Sequence, residues 1–328
     1  MILLCYGTRP EWIKIKPLIA AFKGILPFKV LYTGQHQHIG NFYHDCSLSI
    51  TNGINRLDSI VKSILDAPED IFNNVKYVIV QGDTASTYAT ALTAFHRKIK
   101  IIYLEAGLRT YNLENPYPEE AYRQMISRIS SINLCATQEN MNNLISEKCP
   151  GDNYVVGNTV LDNLINVNAT YGDEVIVTMH RRENHSIMNK WFYEINELAK
   201  KNKDLKFTIP LHPNPNVKKH SSILTHVNIV DPLPYEKMIE KISNCRFLIS
   251  DSGGIQEESS FLNKKVIVCR KWTERKESVG THSFLCEEPK KLKGIFNDVK
   301  NNFIVNQPSP YGDGFASKKI LKILRSMK

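Results

Sequence analysis

Three carboxylates in the first half of the chain stand close behind apolar runs that are typical of buried strands. Asp83 follows the run Tyr77–Gln81, Glu105 follows Ile101–Leu104, and Glu119 comes shortly afterwards in a Tyr-Pro-Glu-Glu segment. Asp83 or Glu119 alone could equally cap a helix. Glu105 fits that role less well, because it directly follows an apolar strand and precedes Ala-Gly. A cluster of acids drives the pKa values of its members apart, which is the arrangement that acid–base catalysis needs.

A basic group ends a strand-like run in the second half of the chain. His180, Arg181 and Arg182 come directly after the run Val175–Met179. Imidazole and guanidinium groups form charge-assisted hydrogen bonds with anions, so these residues predict an anion site. A solvated basic loop is the alternative interpretation.

Two glycines at the start of a predicted helix give the strongest single signal. Ser252, Gly253 and Gly254 follow the strand-like run Phe-Leu-Ile-Ser. They open a helix whose bare N–H groups could receive a diphosphate. Glu258 lies one turn further on, where it could reach the hydroxyl pair of a ribose. The sequence has no Gly-x-Gly-x-x-Gly motif, so a nicotinamide cofactor is not predicted.

The first predicted strand leads into a Gly-Thr-Arg-Pro-Glu motif at residues 7–11. Pro10 suits the first turn of a helix. Arg9 would then lie at the helix N-terminus, where the helix dipole and the guanidinium both attract phosphate. A turn with a surface arginine is the alternative.

Elements that could position these residues alternate along the whole chain. Most apolar runs are short, rich in Val and Ile and apolar on both faces, as in buried parallel strands. The predicted strands are Ile2–Tyr6, Lys29–Thr33, Tyr77–Gln81, Ile101–Leu104, Ile132–Ala136, Tyr154–Val156, Val175–Met179, Lys206–Pro210, Val227–Val230, Phe247–Ser250 and Val266–Cys269. Helical patterns lie between them, which predicts parallel sheets with right-handed crossovers.

The strand–helix pattern restarts near residue 158. We therefore predict an α/β fold of two Rossmann-like parallel-sheet lobes, residues 1–157 and 158–306, with a cleft between them. Residues 307–328 should add a last amphipathic helix, for which the first lobe is one candidate surface. Ligands of open parallel sheets bind beyond the carboxyl ends of the strands. The first lobe would thus carry the acids, and the second would bind the anion.

Composition narrows the class of protein. Hydrophobic residues make up 42% and charged residues 23% of the 328 residues, as in a soluble globular protein. We find neither a run of about 20 apolar residues nor a signal-peptide pattern. The seven cysteines are an odd number without a Cys-x-x-Cys pair, which indicates reduced thiols. We therefore expect a cytoplasmic protein that does not bind a membrane.

The formal net charge of +9 fits either nucleic-acid binding or a small anionic ligand. The basic residues are spread out, and no basic stripe with interleaved aromatic residues occurs. We therefore do not expect a nucleic-acid partner.

With these motifs in order, the chain resembles the non-hydrolysing UDP-N-acetylglucosamine 2-epimerases over nearly its whole length. The shared motifs are Gly-Thr-Arg-Pro-Glu, Gly-Asp-Thr, Glu-Ala-Gly-Leu-Arg-Thr, Pro-Glu-Glu, His-Arg-Arg-Glu and Asp-Ser-Gly-Gly-Ile-Gln-Glu-Glu. The resemblance implies a glycosyltransferase-B type fold and interconversion of UDP-GlcNAc and UDP-ManNAc. It also implies a homodimer that uses no metal and no other cofactor.

The resemblance assigns roles to residues of this sequence. It implies that the catalytic residues are Asp83, Glu105, Glu119 and His180. It implies that the UDP-sugar is bound by Arg9, Lys14, Arg109, Arg181, Met238, Ser252, Gly253, Gly254, Glu258 and Arg275. Met238 stands where the family often has an aromatic residue near the base. In the family, UDP leaves C1 as the C2 proton is removed, a glycal-like intermediate forms, and UDP adds back.

The sequence departs from the family pattern at other places too. Arg275 is followed by Lys276-Glu277, where the family usually has Pro-Glu. An arginine that some members use for a second, activating UDP-GlcNAc is replaced near Lys62-Ser63, although Gln35-His36 is retained. Activation by a second substrate molecule is therefore left open for this chain.

Several alternative functions fit parts of the pattern. The substrate could be another UDP-2-acetamido sugar, such as a 6-deoxy-L-hexose or a diacetamido uronate. A hydrolysing epimerase would release free ManNAc and UDP, but its relatives usually differ at the Arg9-Pro10-Glu11 motif. A glycosyltransferase of the same fold would release UDP only with an acceptor. A non-catalytic sensor or nucleic-acid binder would bind without turnover.

Overall fold

The computed structural model describes residues 1–36 and 42–327, and the chain divides into two compact units. Met1–Asn163 and the final segment from Gly312 onward form the first unit, and Leu164–Tyr311 forms the second. Each unit is an α/β structure around its own parallel sheet.

Hydrogen bonds explain why the observed units begin and end at other residues than the predicted lobes. Nδ2 of Asn163 donates to the carbonyl of Ile13 at 3.0 Å, so residues 158–163 belong with the first unit. The Asp162 carboxylate accepts from the backbone N–H groups of Ala316 and Ser317 at 3.0 and 2.8 Å. These bonds fix the start of the last helix in the same unit.

The secondary structure elements follow the predicted alternation of strands and helices. The strands are β1 Ile2–Tyr6, β2 Phe28–Tyr32, β3 Cys46–Ser47, β4 Tyr77–Gln81, β5 Lys100–Ala106, β6 Ile132–Cys135, β7 Asp152–Val155, β8 Glu174–Thr178, β9 Lys206–Pro210, β10 Asn228–Val230, β11 Phe247–Ser250, β12 Val266–Val268 and β13 Ser283–Leu285. The α-helices are α1 Arg9–Phe22, α2 Arg56–Leu65, α3 Ala85–His96, α4 Glu119–Ile129, α5 Gln138–Ser146, α6 Met188–Lys201, α7 Pro215–Lys218, α8 Tyr235–Asn244, α9 Gly253–Phe261, α10 Leu292–Asn301 and α11 Ala316–Ser326.

The sheet of the first unit has seven parallel strands in the order β3-β2-β1-β4-β5-β6-β7. All five residues of β1 are buried, because helices cover both faces of the sheet. Ile320 and Leu324 on α11 join the core on the α1 face, and they complete the burial of that side. The strand order reverses between β1 and β4, where doubly wound sheets bind ligands.

The sheet of the second unit has six parallel strands in the order β10-β9-β8-β11-β12-β13. Its core packs Trp191 and Phe192 of α6 with Phe247 of β11 and Phe296 of α10. The order reverses between β8 and β11. The basic and glycine-rich motifs directly follow these two strands, so the topology brings their first residues to one edge of the sheet.

Two further expectations concern the chain as a whole. All seven cysteines are free thiols, as predicted. Within residues 1–36 and 42–327, none of the helices is both long enough and apolar enough to span a membrane.

Candidate active site

The turn after β1 places Arg9 at the first residue of α1, with its side chain exposed. Thr8 is the N-cap and forms a capping box with Glu11, whose carboxylate accepts from the backbone N–H of Gly7 at 2.6 Å. The capping box and Pro10 both favour a helix that starts here. Arg9 therefore lies at a helix N-terminus, where the sequence predicted it.

Glu105 occupies an irregularity near the end of β5. Its φ is +68°, and the pairing register with β6 shifts between Leu104 and Ala106, so Glu105 is an extra residue in the strand. Bulges redirect side chains and are common next to active sites. Nζ of Lys14 lies 2.7 and 2.6 Å from the two carboxylate oxygens, and Nδ2 of Asn158 donates to one of them at 3.2 Å.

Asp83 follows β4 and pairs with Arg123 of α4. Nε of Arg123 donates to Oδ2 of Asp83 at 2.8 Å, and Nη2 lies 2.5 Å from the same oxygen. Glu119 is the first residue of the same helix, one turn before Arg123, and it is half-buried. The ion pair therefore connects the segment that carries Asp83 to the helix that carries Glu119.

The buried phenol of Tyr103 lies close to the acidic group. Its charged neighbours include Asp83, Glu105, Arg109 and Arg123, and burial is the main cause of its raised pKa. The structure thus places Asp83 and Glu105 around one buried tyrosine, and Glu119 lies at the start of the helix whose Arg123 contacts Asp83.

Arg109 has a different position from its predicted neighbours in the substrate site. Its side chain is fully buried, and it donates to Glu147 at 2.8 and 2.9 Å, to Ser127 at 3.0 Å and to the carbonyl of Leu108. These bonds use the guanidinium within the core behind β5. The observed contacts of Arg109 are structural, and none of them is with the three acids.

The basic loop of the second unit is organised by the carboxylate of Asp251, which directly follows β11. This carboxylate is fully buried and accepts from the backbone N–H groups of His180 and Arg181 at 2.9 to 3.0 Å, and from Nδ2 of Asn184 at 3.0 Å. The His180 ring lies 3.5 Å from Asp251 and stacks on His212 with centroids 5.4 Å apart. A loop held in this way presents its side chains in fixed directions.

Burial lowers the pKa of His180, and this effect outweighs the opposing attraction of Asp251. Positive charge on Arg181 and the nearby His212 add to the lowering. The lowered pKa favours the neutral imidazole, which can donate or accept one proton. Nε of Arg181 is buried and has no hydrogen-bond partner among the residues that the structure describes.

Helix α9 begins directly behind β11 with Ser252 as N-cap and Gly253 as first residue. A Cβ at Gly253 would lie 2.5 Å from Nη1 of Arg275, so any side chain here would force a shift of that guanidinium or of the helix start. A Cβ at Gly254 would meet nothing within 4 Å, which leaves the backbone there open to a ligand. The N–H groups of a first helical turn lack partners inside the helix and attract anions.

The buried side chain of Arg275 lies next to Gly253, at the first turn of α9. It is held at 2.7 Å by Glu257 and at 2.5 Å by Glu274, and all three side chains are buried. Burial raises the pKa of Tyr235, and the negative charge of the nearby Glu258 adds to the rise. Met238 lies one turn further along α8 and is half-buried.

Sequence reasoning missed three residues that organise the site: Arg123, Glu120 and Asp251. Arg123 follows Glu119 by four residues, so a helix places both on one face, and this spacing was a usable signal. Asp251 stood within the glycine-rich motif, directly behind a buried strand. Within the described ranges, no three His, Cys, Asp or Glu side chains cluster in a way that could hold a metal ion.

Comparison with known proteins decides the family. A sequence model of the family described as UDP-N-acetylglucosamine 2-epimerase matches residues 23–325. The chain belongs to this family. The family predicted from the motifs is thereby confirmed.

Members of the UDP-N-acetylglucosamine 2-epimerase family match the chain over its full length. The enzyme of that name from Campylobacter jejuni is 36% identical over 375 residues, which cover 98% of this chain and 97% of that one. The crystal structure of the Neisseria meningitidis UDP-GlcNAc 2-epimerase bound to UDP-GlcNAc is 33% identical. It has a TM-score of 0.89 and covers 99% of both chains.

The fold extends beyond the epimerase family. MurG from Acinetobacter baumannii has a TM-score of 0.62 over 99% of both chains at 10% identity, which is a likeness of fold alone. These structures and the two parallel sheets confirm the predicted fold class of two Rossmann-like lobes of the glycosyltransferase-B type.

Proposed function

We propose that this protein epimerises UDP-GlcNAc at C2 and so forms UDP-ManNAc. The observation that carries the proposal is the placement of Asp83 and Glu105 behind adjacent strands of the first sheet, with Glu119 at the start of α4, in a chain of the UDP-N-acetylglucosamine 2-epimerase family. The related Neisseria meningitidis enzyme was crystallised with UDP-GlcNAc bound, which supports the same substrate here.

The second unit is proposed to bind UDP. Ser252, Gly253 and Gly254 at the start of α9 would receive the diphosphate through their N–H groups. Arg181 would contribute positive charge to the same anion, and Glu258 would bind the ribose. The open space above Gly254 supports this assignment, because a diphosphate must approach the backbone closely.

The first unit is proposed to act on the sugar, with Lys14 and Arg9 as its cations. One carboxylate of the acidic group takes the proton from C2 while the C1–O bond to UDP breaks. The C2–H electrons form a C1–C2 double bond, and the C1–O electrons leave on UDP. A second acid then delivers a proton to the opposite face of C2, and a UDP oxygen returns to C1. No water and no oxidant are consumed.

His180 is proposed to act at the departing diphosphate. A neutral imidazole can donate one hydrogen bond to a phosphate oxygen on which negative charge accumulates. The lowered pKa of His180 and the fixed position of its backbone both support that role.

Incubation with UDP-GlcNAc in D2O, followed by NMR at C2, tests this function. We expect deuterium at C2 and a mixture of UDP-GlcNAc and UDP-ManNAc. The proposal fails if neither appears while another UDP-2-acetamido sugar exchanges its C2 proton. Release of free ManNAc with equimolar UDP would instead identify a hydrolysing epimerase.

We further propose that the protein is a homodimer in the cytoplasm. Seven free cysteines support a reducing compartment. Analytical ultracentrifugation of the purified protein tests the dimer, and a monomer at micromolar concentration would contradict it.

A further inference from the structure

The guanidinium of Arg123 joins two carboxylates in the first unit. Its side chain is 5% exposed, while that of Asp83 is 27% exposed and that of Glu120 is fully buried. Nε and Nη2 both approach Oδ2 of Asp83, at 2.8 and 2.5 Å, whereas Nη1 donates to Oε2 of Glu120 at 3.2 Å. Asp83 is therefore the solvent-facing end of a buried charge array.

Glu120 fixes the other side of the array to the backbone. Its two carboxylate oxygens accept from the N–H groups of Thr110 at 2.9 Å and Tyr111 at 3.1 Å. These residues belong to the segment that follows β5, the strand that carries Glu105. Arg123 thus cannot turn away from Asp83 without breaking its bond to an anchored carboxylate.

The positive charge of Arg123 favours the ionised form of Asp83. A cation at hydrogen-bond distance favours the ionised form of a carboxyl group. Other titratable groups in the surroundings include Tyr103 and Glu105 of β5, Arg109 behind β5, and Glu11 of α1, which accepts from the neighbouring Thr84 hydroxyl at 2.6 Å. Negative charge on Glu105 and Glu120 opposes ionisation of Asp83, whereas Arg123 is a cation in direct contact with its carboxylate and supports ionisation.

We propose that Arg123 is a positioning residue that holds Asp83 ionised and oriented. Asp83 then accepts the C2 proton from the epimer whose C2 proton lies on its side of the sugar ring. The inference rests on the proposed C2 epimerisation. In the step itself, the C2–H electrons enter the C1–C2 double bond, the proton moves to Asp83, and UDP leaves with the C1–O electrons. Arg123 touches neither the proton nor the sugar and acts only through Asp83.

The test compares pH profiles of Arg123→Gln and Arg123→Lys with that of the wild-type protein, measured as UDP-GlcNAc epimerisation from about pH 4 to about pH 9. In Arg123→Gln we expect kcat to fall about 100-fold and the acidic limb of kcat/KM to move up by about one pH unit. KM should change less than about threefold, because the proposed UDP contacts lie in the second unit. Arg123→Lys keeps the positive charge but loses the planar guanidinium that contacts both carboxylates. The acidic limb of its kcat/KM profile should therefore stay at the wild-type pH, while kcat falls about tenfold.

Arg97→Gln is the matched control, because Arg97 also pairs with a carboxylate in the first unit, at 2.7 Å from Glu69 on the surface. It should leave kcat and the pH profile unchanged. An unmoved acidic limb in Arg123→Gln overturns the inference. If Arg123→Gln does not fold, the Arg123→Lys variant decides the question. A wild-type kcat or a displaced acidic limb of kcat/KM in Arg123→Lys then overturns the inference. A wild-type protein without C2 exchange refutes the proposed function instead.

Discussion

Nζ of Lys14 lies 2.7 Å from one carboxylate oxygen of Glu105 and 2.6 Å from the other, so the lysine of α1 contacts both oxygens of the acid on β5. Both side chains are mostly buried, with exposures of 14% and 9%. An ion pair with so little water around it is stronger than a surface pair, and removal of one partner leaves a poorly compensated charge. This pair is therefore a sensitive point of the proposed site.

We expect Glu105→Gln to lower kcat for epimerisation about 100-fold or more, because an amide cannot exchange a proton at C2. Lys14→Met should lower kcat about tenfold or more by removing the cation that faces the acid. Lys16→Met is the control, since Lys16 is exposed on the same helix. Steady-state kinetics with UDP-GlcNAc provides the measurement, and a Glu105→Gln protein with wild-type kcat would remove Glu105 from the chemistry.

Glu11 should make folding stability depend on pH. Burial raises its pKa from the usual 4.5 to about 7, although hydrogen bonds from Thr84, Gly7 and Thr8 oppose the rise. Between these two values the folded protein keeps a proton that the unfolded chain has lost. The contribution of Glu11 to stability is thus complete below pH 4.5 and is lost as the pH rises through about 7.

The Glu11→Gln variant, neutral at every pH, measures this effect. Its free energy of unfolding relative to wild type should increase by about 3 kcal/mol from below pH 4.5 to above pH 7. Urea unfolding at several pH values gives the difference. The Glu139→Gln variant, at an exposed position, is the control. Its effect on the free energy of unfolding measures the general effect of removing one carboxylate and is subtracted. A Glu11→Gln difference that stays constant with pH would show that Glu11 titrates alike in both states.

Asp251→Asn should disturb His180 in two ways. The amide cannot accept from every donor that the carboxylate now holds, so the loop loses its fixed position and kcat should fall about tenfold or more. The negative charge of Asp251 also raises the pKa of His180 against the lowering by burial. Without that charge the imidazole should titrate at still lower pH.

NMR titration of the His180 ring in wild type and in Asp251→Asn checks the direction of this change. The signal of His96, on α3 of the first unit, serves as an internal reference. A shift of the His180 titration to higher pH in the variant would contradict the electrostatic role given to Asp251.

Gly253→Ala should weaken UDP binding. The new methyl group would lie 2.5 Å from Nη1 of Arg275, and that guanidinium cannot move easily because Glu257 and Glu274 hold it. The start of α9 must shift instead, and we expect the Kd for UDP in isothermal titration calorimetry to rise about tenfold. Gly294→Ala in α10, where a Cβ meets nothing within 4 Å, should leave binding unchanged. Equal UDP affinity in both variants would argue against a diphosphate at α9.

Sequence patterns predicted the main strands well because each buried strand is a short run of apolar residues that can be seen in the sequence itself. The observed bounds of β1, β4, β9 and β11 equal the predicted ones. The strands β3 and β13 were not predicted, because β3 has only two residues and β13 begins with Ser and lacks the all-apolar run that marks β12. Their pairing depends on neighbouring strands that are distant in sequence.

The site was predictable only in part, for a related reason. Residues directly behind a strand end were found because parallel sheets place them at one edge. Arg109 also stands behind a strand, but its partner Glu147 is 38 residues away, and no local pattern reveals that the pair is buried. Arg123 was missed for the same reason, since its importance lies in the contact with Asp83, 40 residues earlier.

Because of the bulge in β5, the pairing of the strands does not depend on the side chain of residue 105. Leu104 pairs with Leu134 and Ala106 with Cys135, so the ladder passes over Glu105 and does not rely on its side chain for register. A substitution at residue 105 can therefore alter reactivity while both neighbouring strands keep their alignment. Asn or Gly, which tolerate a positive φ, would fit the backbone at least as well as Glu does. The side chain at residue 105 therefore matters for the ion pair with Lys14 and not for the register of the sheet.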